Sequence, residues 1–266
     1  MAFRTAVSGV LITTLLALSS AAHAADDLLR QIKSRGVLRV CEISYTPYNV
    51  KDPMTNEWSG INVDVAKAIA GKLNVRMENV DATFATVIPS LQTGKCDISA
   101  GATYITPERS QQALFSIPDA EDSKTAVVPK SSPATSIADL DKSGAVISVR
   151  AGSGEETLAK QLFRHATVRP TTSDAAQPHL MEVATGRADA TIAGYTGAYV
   201  FIGRNPNLNL KLLQNIKLQP TPFALMMPLG QPSLQAFVNG VIAQLQKSGQ
   251  MTAIVARYMP AQHASQ

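Results

Sequence analysis

The segment GATYITPERSQQALFSIP, residues 101–118, is the starting point for interpreting this chain. It continues an apolar strand start, passes through small residues and hydroxyl side chains, and then reaches Arg109. Gly, Ser and Thr at the end of a strand leave backbone N–H groups and hydroxyls accessible. An Arg guanidinium offers a planar fork of donors that matches a carboxylate. The segment therefore indicates a site for a small anion, although an isolated Arg is more commonly an ordinary surface residue.

Apolar strands and amphipathic helices alternate on both sides of this segment. Such alternation is typical of α/β units with a mainly parallel sheet, and the pattern restarts near residue 124, so the sequence predicts two units. The predicted strands cover residues 37–40, 75–80, 96–100, 124–129, 145–149, 166–169, 189–193, 208–213 and 223–227. The predicted helices cover residues 26–35, 64–73, 84–92, 137–140, 174–185, 233–246 and 251–259, with two more that end at 163 and 201.

The two units predict an α/β molecule with two lobes joined by a two-strand hinge. We expect residues 25–122 and 222–266 to form lobe 1 and residues 123–221 to form lobe 2. Two lobes joined by crossing strands make a hinged cleft. Ligands of parallel sheets bind beyond the carboxyl ends of the strands, so the loops after residues 41 and 100 should face one crevice.

The first 24 residues have the pattern of a secretory signal peptide. Arg4 precedes an apolar run from Val7 to Leu18, and the sequence Ala-His-Ala before Ala25 predicts cleavage after Ala24. A membrane anchor is disfavoured because the apolar run is shorter than the roughly 20 residues that span a bilayer. We therefore expect an exported, periplasmic protein.

Composition excludes several classes of function. The 266-residue chain is 45% hydrophobic and 17% charged, which is enough for a core and too apolar for disorder. Its net charge of +4 is scattered without a basic patch, so we expect no nucleic-acid partner. The four His residues show no spacing typical of metal ligands, so we expect neither a metal nor another cofactor.

The two cysteines, Cys41 and Cys96, are predicted to remain unpaired. Cys41 ends one predicted strand and Cys96 begins another. In neighbouring parallel strands these positions lie at opposite ends, beyond bridging distance. Export makes a disulfide chemically possible, but the spacing favours two small buried thiols.

Several motifs occur in one order along nearly the whole mature chain. They include GVLRV, YTPY, WSGINVDVAKAIA, FATVIPSLQTGKCDIS, ITPERSQQALFSIP, GSGEETLAK and EVATGRADATIAG. In this order the chain resembles the bacterial extracellular solute-binding proteins of family 3, the periplasmic amino-acid receptors of ABC importers. The resemblance implies the two-lobed type II periplasmic-binding fold. It also implies a non-catalytic, monomeric receptor that captures a small carboxylate-bearing ligand and docks on an ABC permease in the inner membrane.

The resemblance also implies the ligand contacts. The Arg of the TPER motif grips the ligand carboxylate in this family, and that residue is Arg109 here. Gly101 and Thr103 would assist it, and Ser153 of lobe 2 would donate to the same carboxylate. The other candidate contacts are Tyr45 stacked on the ligand, Phe84 as a pocket wall, Glu42 near the place of an acid for basic ligands, and Tyr104 and Tyr195 in the cleft.

Three positions depart from the pattern of the family. Gly194 stands where members that bind α-amino acids have an Asp for the ammonium group. Tyr104 replaces a hydroxyl residue, and Asp119 replaces an aromatic one. Either Glu42, Glu155 or Asp119 replaces the missing acid, or the ligand is another small carboxylate, such as an aromatic one.

Two other functions stay open beside the receptor, which we favour over an enzyme. The chain also resembles the exported cyclohexadienyl (arogenate/prephenate) dehydratases, through ITPERSQQALFSIP and the Glu after GSG. Glu155 would then be the general acid that protonates the leaving hydroxyl, with Arg109 holding a carboxylate. In the third possibility the protein binds its ligand for an accessory or sensory role.

Overall fold

A computed structural model describes residues 27–173, 177–213 and 218–259. The predicted signal peptide lies outside these residues, as do positions 174–176 of one predicted helix. Within the described ranges, no helix is both long and apolar enough to cross a bilayer.

Most strands belong to one sheet that runs through the molecule. The strands are β1 Val37–Glu42, β2 Val50–Lys51, β3 Trp58–Ser59, β4 Arg76–Asp81, β5 Ile98–Tyr104, β6 Leu114–Phe115, β7 Ala120–Pro129, β8 Val146–Arg150, β9 Thr167–Thr171, β10 Ala190–Gly194, β11 Leu210–Leu212 and β12 Leu218–Met227. The path through the sheet is β4-β1-β5-β12-β7-β10-β8-β9, with β6 beside β12 and β11 beside β7; β2 and β3 pair separately.

Helices cover the sheet. They are α1 Leu28–Arg35, α2 Ile61–Leu73, α3 Val87–Gln92, α4 Pro107–Ser110, α5 Gly154–Leu162, α6 Pro178–Ala184, α7 Tyr195–Arg204, α8 Pro232–Lys247 and α9 Gln250–Tyr258, with a 3₁₀ turn at Pro206–Leu208. Their ends follow local chemistry: the Asp27 side chain accepts from the Leu29 N–H at the start of α1, and Gly36 ends that helix with a φ of 71°.

The two halves of the sheet have the same design. Strands β4, β1 and β5 are parallel to one another, and so are β10, β8 and β9. Between them β12 and β7 are antiparallel to each other and to their outer neighbours. Each half is thus a mainly parallel unit, and two long strands connect the halves. This confirms the predicted fold class.

The buried apolar residues form a large core and two smaller ones. The large core packs α2 and α8 on the first half of the sheet through residues such as Ile69, Val238 and Ile242. The smaller cores lie on opposite faces of the second half, around Ile147 and Leu180. We call the part around the large core lobe 1 and the part around the other two lobe 2. The boundaries at 122/123 and 221/222 stay predictions.

Cys41 and Cys96 form a disulfide, with their Cα atoms 5.6 Å apart. The prediction of two free thiols was wrong because it placed Cys96 in a strand. Strand β5 begins only at Ile98, and Cys96 lies in the turn that precedes it. In this turn the Asp97 N–H donates to the Arg39 carbonyl, which holds the turn against β1 beside Cys41.

Two further predictions were wrong. Residues 137–140 form a single turn instead of a helix: the Leu140 and Asp141 N–H groups both donate to the Ile137 carbonyl, and the helical bonding does not continue beyond this turn. Residues 101–104 belong to β5 instead of a loop, since Thr103 and Tyr104 pair with β12. All seven residues of β5 are buried.

Candidate functional site

The two lobes meet across a cleft beyond the carboxyl ends of β1 and β8. The Tyr45 hydroxyl of lobe 1 donates to Glu155 Oε1 of lobe 2 at 3.1 Å. Arg109 Nη2 of lobe 1 donates to the Gly152 carbonyl of lobe 2 at 2.9 Å. These bonds place polar groups from both lobes around one region.

Arg109 is positioned by the short helix α4. Thr106 caps this helix and accepts from the Arg109 N–H, and the guanidinium also donates to the Tyr104 carbonyl at 3.0 Å. Among the described residues, no carboxylate lies in ion-pair distance of Arg109. Burial lowers the pKa of Arg109, while the charge of Glu155 acts in the opposite direction. A partly buried cation that contacts only carbonyl groups is suited to receive an anionic ligand.

An aromatic cluster lines the lobe 1 side of the cleft. Tyr45 packs edge-on against Phe84 and Phe223, with ring centroids 6.0 and 6.1 Å apart. The Tyr104 ring lies 4.5 Å from that of Phe223, and Tyr48 lies 5.1 Å from the same ring. The faces of such rings attract cations, and the rings as a whole pack against apolar groups.

A cavity of about 310 Å³ opens at the edge of the cleft beside Phe84. Residues of both lobes line it, including Ser44 and Trp58 from lobe 1 and Arg150 and Thr171 from lobe 2. The Arg150 guanidinium donates to the Ser44 carbonyl and lies 5.9 Å from the centre of the Phe84 ring. The cavity thus lies between the two lobes, beside the aromatic cluster.

Glu155 faces the cleft from the first turn of α5. The Ser153 hydroxyl caps this helix by accepting from the Glu156 N–H at 3.2 Å, and Glu156 itself accepts from the Gly152 N–H. Glu155 points into the interface instead, where it is only 3% exposed and accepts from Tyr45. Lobe 2 thus contributes a buried carboxylate.

A second carboxylate, from Asp122 on β7, reaches the same region. It accepts from the Thr196 hydroxyl at 2.9 Å and from the Thr196 N–H. A Cβ on Gly194 would lie 2.8 Å from Asp122 Oδ2 and 2.0 Å from the Tyr45 hydroxyl oxygen. Burial raises the pKa of Asp122 to about 7. Asp122 and Tyr45 therefore occupy the space that a side chain at position 194 would need.

Lys124 lies two residues further along β7, on the same face of the strand as Asp122. Its ammonium lies 3.7 Å from the centre of the Tyr104 ring and donates to the Thr221 hydroxyl at 3.1 Å. Neither Asp122 nor Lys124 was predicted as a site residue from the sequence. The available signal was their place at the predicted lobe boundary, where a crossing strand borders the cleft.

The other predicted site residues have separate surroundings. Thr103 is buried in β5, and the space beside Gly101 is filled by the Ile43 side chain. Tyr195 stacks on Tyr199 at the start of α7, with ring centroids 6.2 Å apart. Glu42 is buried against Asn49; burial raises its pKa to about 8, and the charges that act on it are Lys67 and Asp81. Asp119 is buried beside Tyr48, and burial raises its pKa to about 7.

Comparison with known proteins places the chain in a family. The model of the bacterial extracellular solute-binding proteins, family 3, matches residues 38–261. The amino-acid ABC transporter substrate-binding protein AbpA of Streptococcus pneumoniae, solved with L-arginine bound, superposes with a TM-score of 0.79 at 28% identity. That match covers 86% of this chain and 97% of AbpA.

Three curated relatives differ in what their names describe. The L-cystine-binding protein TcyJ of Escherichia coli K12 is 26% identical over 97% of this chain and 96% of its own length. The "Probable amino-acid ABC transporter periplasmic-binding protein y4tE" of Sinorhizobium fredii is 30% identical over 64% of this chain, and the chain spans 57% of that relative. Cyclohexadienyl dehydratase of Pseudomonas aeruginosa is 29% identical over 62% of each chain.

Proposed function

Because the chain belongs to the bacterial extracellular solute-binding proteins, family 3, we propose that it is a periplasmic receptor that captures an amino acid or a related organic acid between its lobes. The observation that carries this proposal is the Arg109 guanidinium, which lies in the cleft and contacts only carbonyl groups. A ligand carboxylate would accept from this guanidinium through two parallel hydrogen bonds.

The ammonium group of an α-amino acid also finds partners in this cleft. Asp122 and Glu155 are buried carboxylates that flank the Tyr45 hydroxyl. We expect them to replace the acid that the sequence lacks at Gly194. This arrangement supports an α-amino acid more than a carboxylate without an amine.

Ligand capture would stabilise the contact between the lobes. Arg109 and Tyr45 each bond to the opposite lobe, so a ligand held between them touches both sides. Such a ligand favours the closed arrangement by its differential affinity for it. The closed protein, exported by its signal peptide and monomeric, would then deliver the ligand to an ABC permease in the inner membrane.

The experiment is a thermal-shift screen of amino acids and organic acids, followed by calorimetry on each ligand found. A ligand at 100 times its Kd should add about 2.7 kcal/mol of stability. Arg109→Ala should weaken binding at least about 100-fold, or about 2.7 kcal/mol, because it removes the paired charge-assisted hydrogen bonds to the carboxylate. Arg76→Ala, which removes an exposed Arg paired with Glu78, is the control. Unchanged affinity in Arg109→Ala for every ligand found would rule out this site.

A dehydratase on the same scaffold is the second candidate, favoured by one relative and by Glu155. Glu155 would be the general acid that carries a proton to the leaving hydroxyl. We favour the receptor because most of the matched relatives and solved structures are named as binding proteins. Incubation with prephenate and arogenate, followed by absorbance of the aromatic product, decides between them; turnover that Glu155→Gln abolishes would establish the enzyme.

An accessory or sensory role would use the same cleft without a transporter. Uptake of the identified ligand by cells with and without the protein distinguishes this role from import. Loss of uptake on deletion supports the receptor of an importer, and unchanged uptake supports the accessory role.

A further inference from the structure

Lys124 is a second buried cation at the cleft. Lys124 is only 8% exposed, and its ammonium contacts the Thr221 hydroxyl and the face of the Tyr104 ring. Throughout the part of the chain that the structure describes, no carboxylate lies in ion-pair distance of Lys124. Burying an ammonium without an ion-pair partner is costly, so its position calls for a function.

Tyr104 connects the two cations. Arg109 donates to the Tyr104 carbonyl, and Lys124 lies over the ring of the same residue. The Tyr104 hydroxyl is buried beside the Tyr45 hydroxyl. Two cations and a hydroxyl are thus arranged around one residue.

The carboxylates Glu155 and Asp122 act on Lys124 through space. Burial lowers the pKa of Lys124, and these two charges oppose that effect. Each carboxylate already accepts a hydrogen bond elsewhere, Glu155 from Tyr45 and Asp122 from Thr196. Neither is bonded to the ammonium, so Lys124 keeps donors for another acceptor.

We propose that Lys124 binds a second acidic group of the ligand, so that the ligand is an amino acid or organic acid with two anionic ends. This inference rests on the proposed function, because Arg109 must hold the first carboxylate. Asp122 and Glu155 would hold an ammonium between the two ends. The ligand class is therefore a small diacid, with or without an amine.

The experiment compares ligands that differ only in this second charge. Calorimetry would measure the Kd values of L-glutamate and L-glutamine, of L-aspartate and L-asparagine, and of L-2-aminoadipate and its side-chain amide, at pH 7 and low salt. A thermal-shift panel of monocarboxylates and dicarboxylates without an amine would run in parallel. We expect each bound acid to be preferred over its amide at least 10-fold.

Variants then assign that preference to Lys124. Lys124→Met should reduce the ratio of acid to amide affinity to within about twofold, and Lys124→Arg should keep most of it. Lys130→Met, at an exposed position just after the far end of the same strand, is the matched control and should keep the wild-type ratio. If Lys124 only balances the charges of Glu155 and Asp122, Lys124→Met would weaken acid and amide equally.

The outcomes separate this inference from the proposed function. A wild-type protein that binds monoacids or amides as tightly as diacids overturns the role of Lys124 and leaves the receptor intact. The same holds for a ratio that Lys124→Met does not change. If none of the monoacids or diacids stabilises the protein, the proposed function fails and this inference fails with it. If Lys124→Met does not fold, the ratio of acid to amide affinity in the wild-type protein still tests whether a second acidic group is recognised.

Discussion

Strands β5 and β10 occupy matching places in the two halves of the sheet but end very differently. Each lies between a parallel neighbour and one of the two crossing strands. Strand β5 of lobe 1 ends in Tyr104, whose ring packs in the cleft. Strand β10 of lobe 2 ends in Gly194, which has no side chain. The same architecture thus presents an aromatic ring on one side of the cleft and bare backbone, against which Tyr45 packs, on the other.

The difference extends along the whole interface. Lobe 1 contributes aromatic rings, whereas lobe 2 contributes glycines against which lobe 1 packs closely. A Cβ would come within 3.0 Å of a lobe 1 or crossing-strand atom at four glycines of lobe 2: Gly152 against Ala85, Gly154 against Tyr104, Gly194 against Tyr45 and Gly197 against Thr46. The shape of the lobe 2 surface therefore depends on missing side chains, and this surface is sensitive to the smallest additions.

The largest effect should come from removing the covalent link of lobe 1. Among the described residues Cys41 and Cys96 form the one disulfide, and lobe 2 has no counterpart. The Cys41→Ser/Cys96→Ser variant should lose about 2–5 kcal/mol of unfolding free energy, measured by urea denaturation. Wild type with reducing agent is the control and should approach the variant. A loss below about 0.5 kcal/mol would show that the link adds little to the stability of lobe 1.

Adding one methyl group to the lobe 2 surface at Gly194 should block its close contact with lobe 1. Gly194→Ala places a Cβ 2.0 Å from the Tyr45 hydroxyl oxygen, so the lobes can no longer meet as they do. We expect ligand affinity to fall about 100-fold, or about 2.7 kcal/mol, in calorimetry. Gly203→Ala adds a methyl where nothing lies within 4 Å and should leave affinity unchanged. Equal affinities of the two variants would contradict the close-contact argument.

The ends of β1 and β8 offer a sharper comparison, since one is the buried acid Glu42 and the other the buried base Arg150. Burial raises the pKa of Glu42 from 4.5 to about 8. The folded protein therefore holds a proton that the unfolded chain releases near pH 4.5, so this stabilising effect is lost as pH rises towards 8. Raised pKa values of Asp119 and Asp122 act in the same direction. We expect the free energy of unfolding to fall between about pH 5 and 8 and to level off above pH 8.

Glu42→Gln removes the contribution of this one acid. Within this window each pH unit corresponds to about 1.4 kcal/mol, so the variant should gain at least about 1 kcal/mol over wild type between pH 5 and 8. Denaturant titrations at both pH values measure it. Glu57→Gln, at an exposed site, should show no such gain. A parallel pH dependence of Glu42→Gln and wild type would mean that Glu42 is ionised in the folded protein.

The smallest effect should come from a single bond between the lobes. Tyr45→Phe removes the hydroxyl that donates to Glu155, which should cost about 1 kcal/mol of binding free energy, or roughly fivefold in Kd. Tyr258→Phe loses a bond to Asp64 within lobe 1 and should change stability but not affinity. If Tyr45→Phe binds as tightly as wild type, this bond does not contribute to ligand capture.

The fold could be predicted from the sequence because its signals are local. The periodic spacing of Leu234, Val238 and Leu245 identifies a helix without knowledge of the rest of the chain. The disulfide was not predicted because the strand was expected to begin at Cys96, whereas β5 begins two residues later, at Ile98. That difference in the strand boundary decides whether Cys96 can reach Cys41. A strand boundary of that accuracy depends on tertiary pairing, here of Asp97 with Arg39, which no local pattern contains.

The candidate site could be predicted only where a motif identifies it. Arg109 and Tyr45 follow from the resemblance, and the structure places both at the cleft, but their roles stay predictions. Asp122 and Lys124 are ordinary residues of a strand, and no spacing distinguishes them. Their proposed roles at the cleft depend on Gly194, which lies beside them only because β7 pairs with β10 in a particular register.

The two crossing strands carry a consequence for the order of events. Asp122, Lys124 and Phe223 lie on β7 and β12, whereas Arg109 and Glu155 lie on outer segments of the two lobes. If the lobes rotate about these strands, atoms near the axis move least. A ligand group held at the axis keeps its contacts before and after rotation. Such contacts increase the residence time of the ligand on the open protein, but they do not favour the closed arrangement. Only the contacts far from the axis would convert binding into motion.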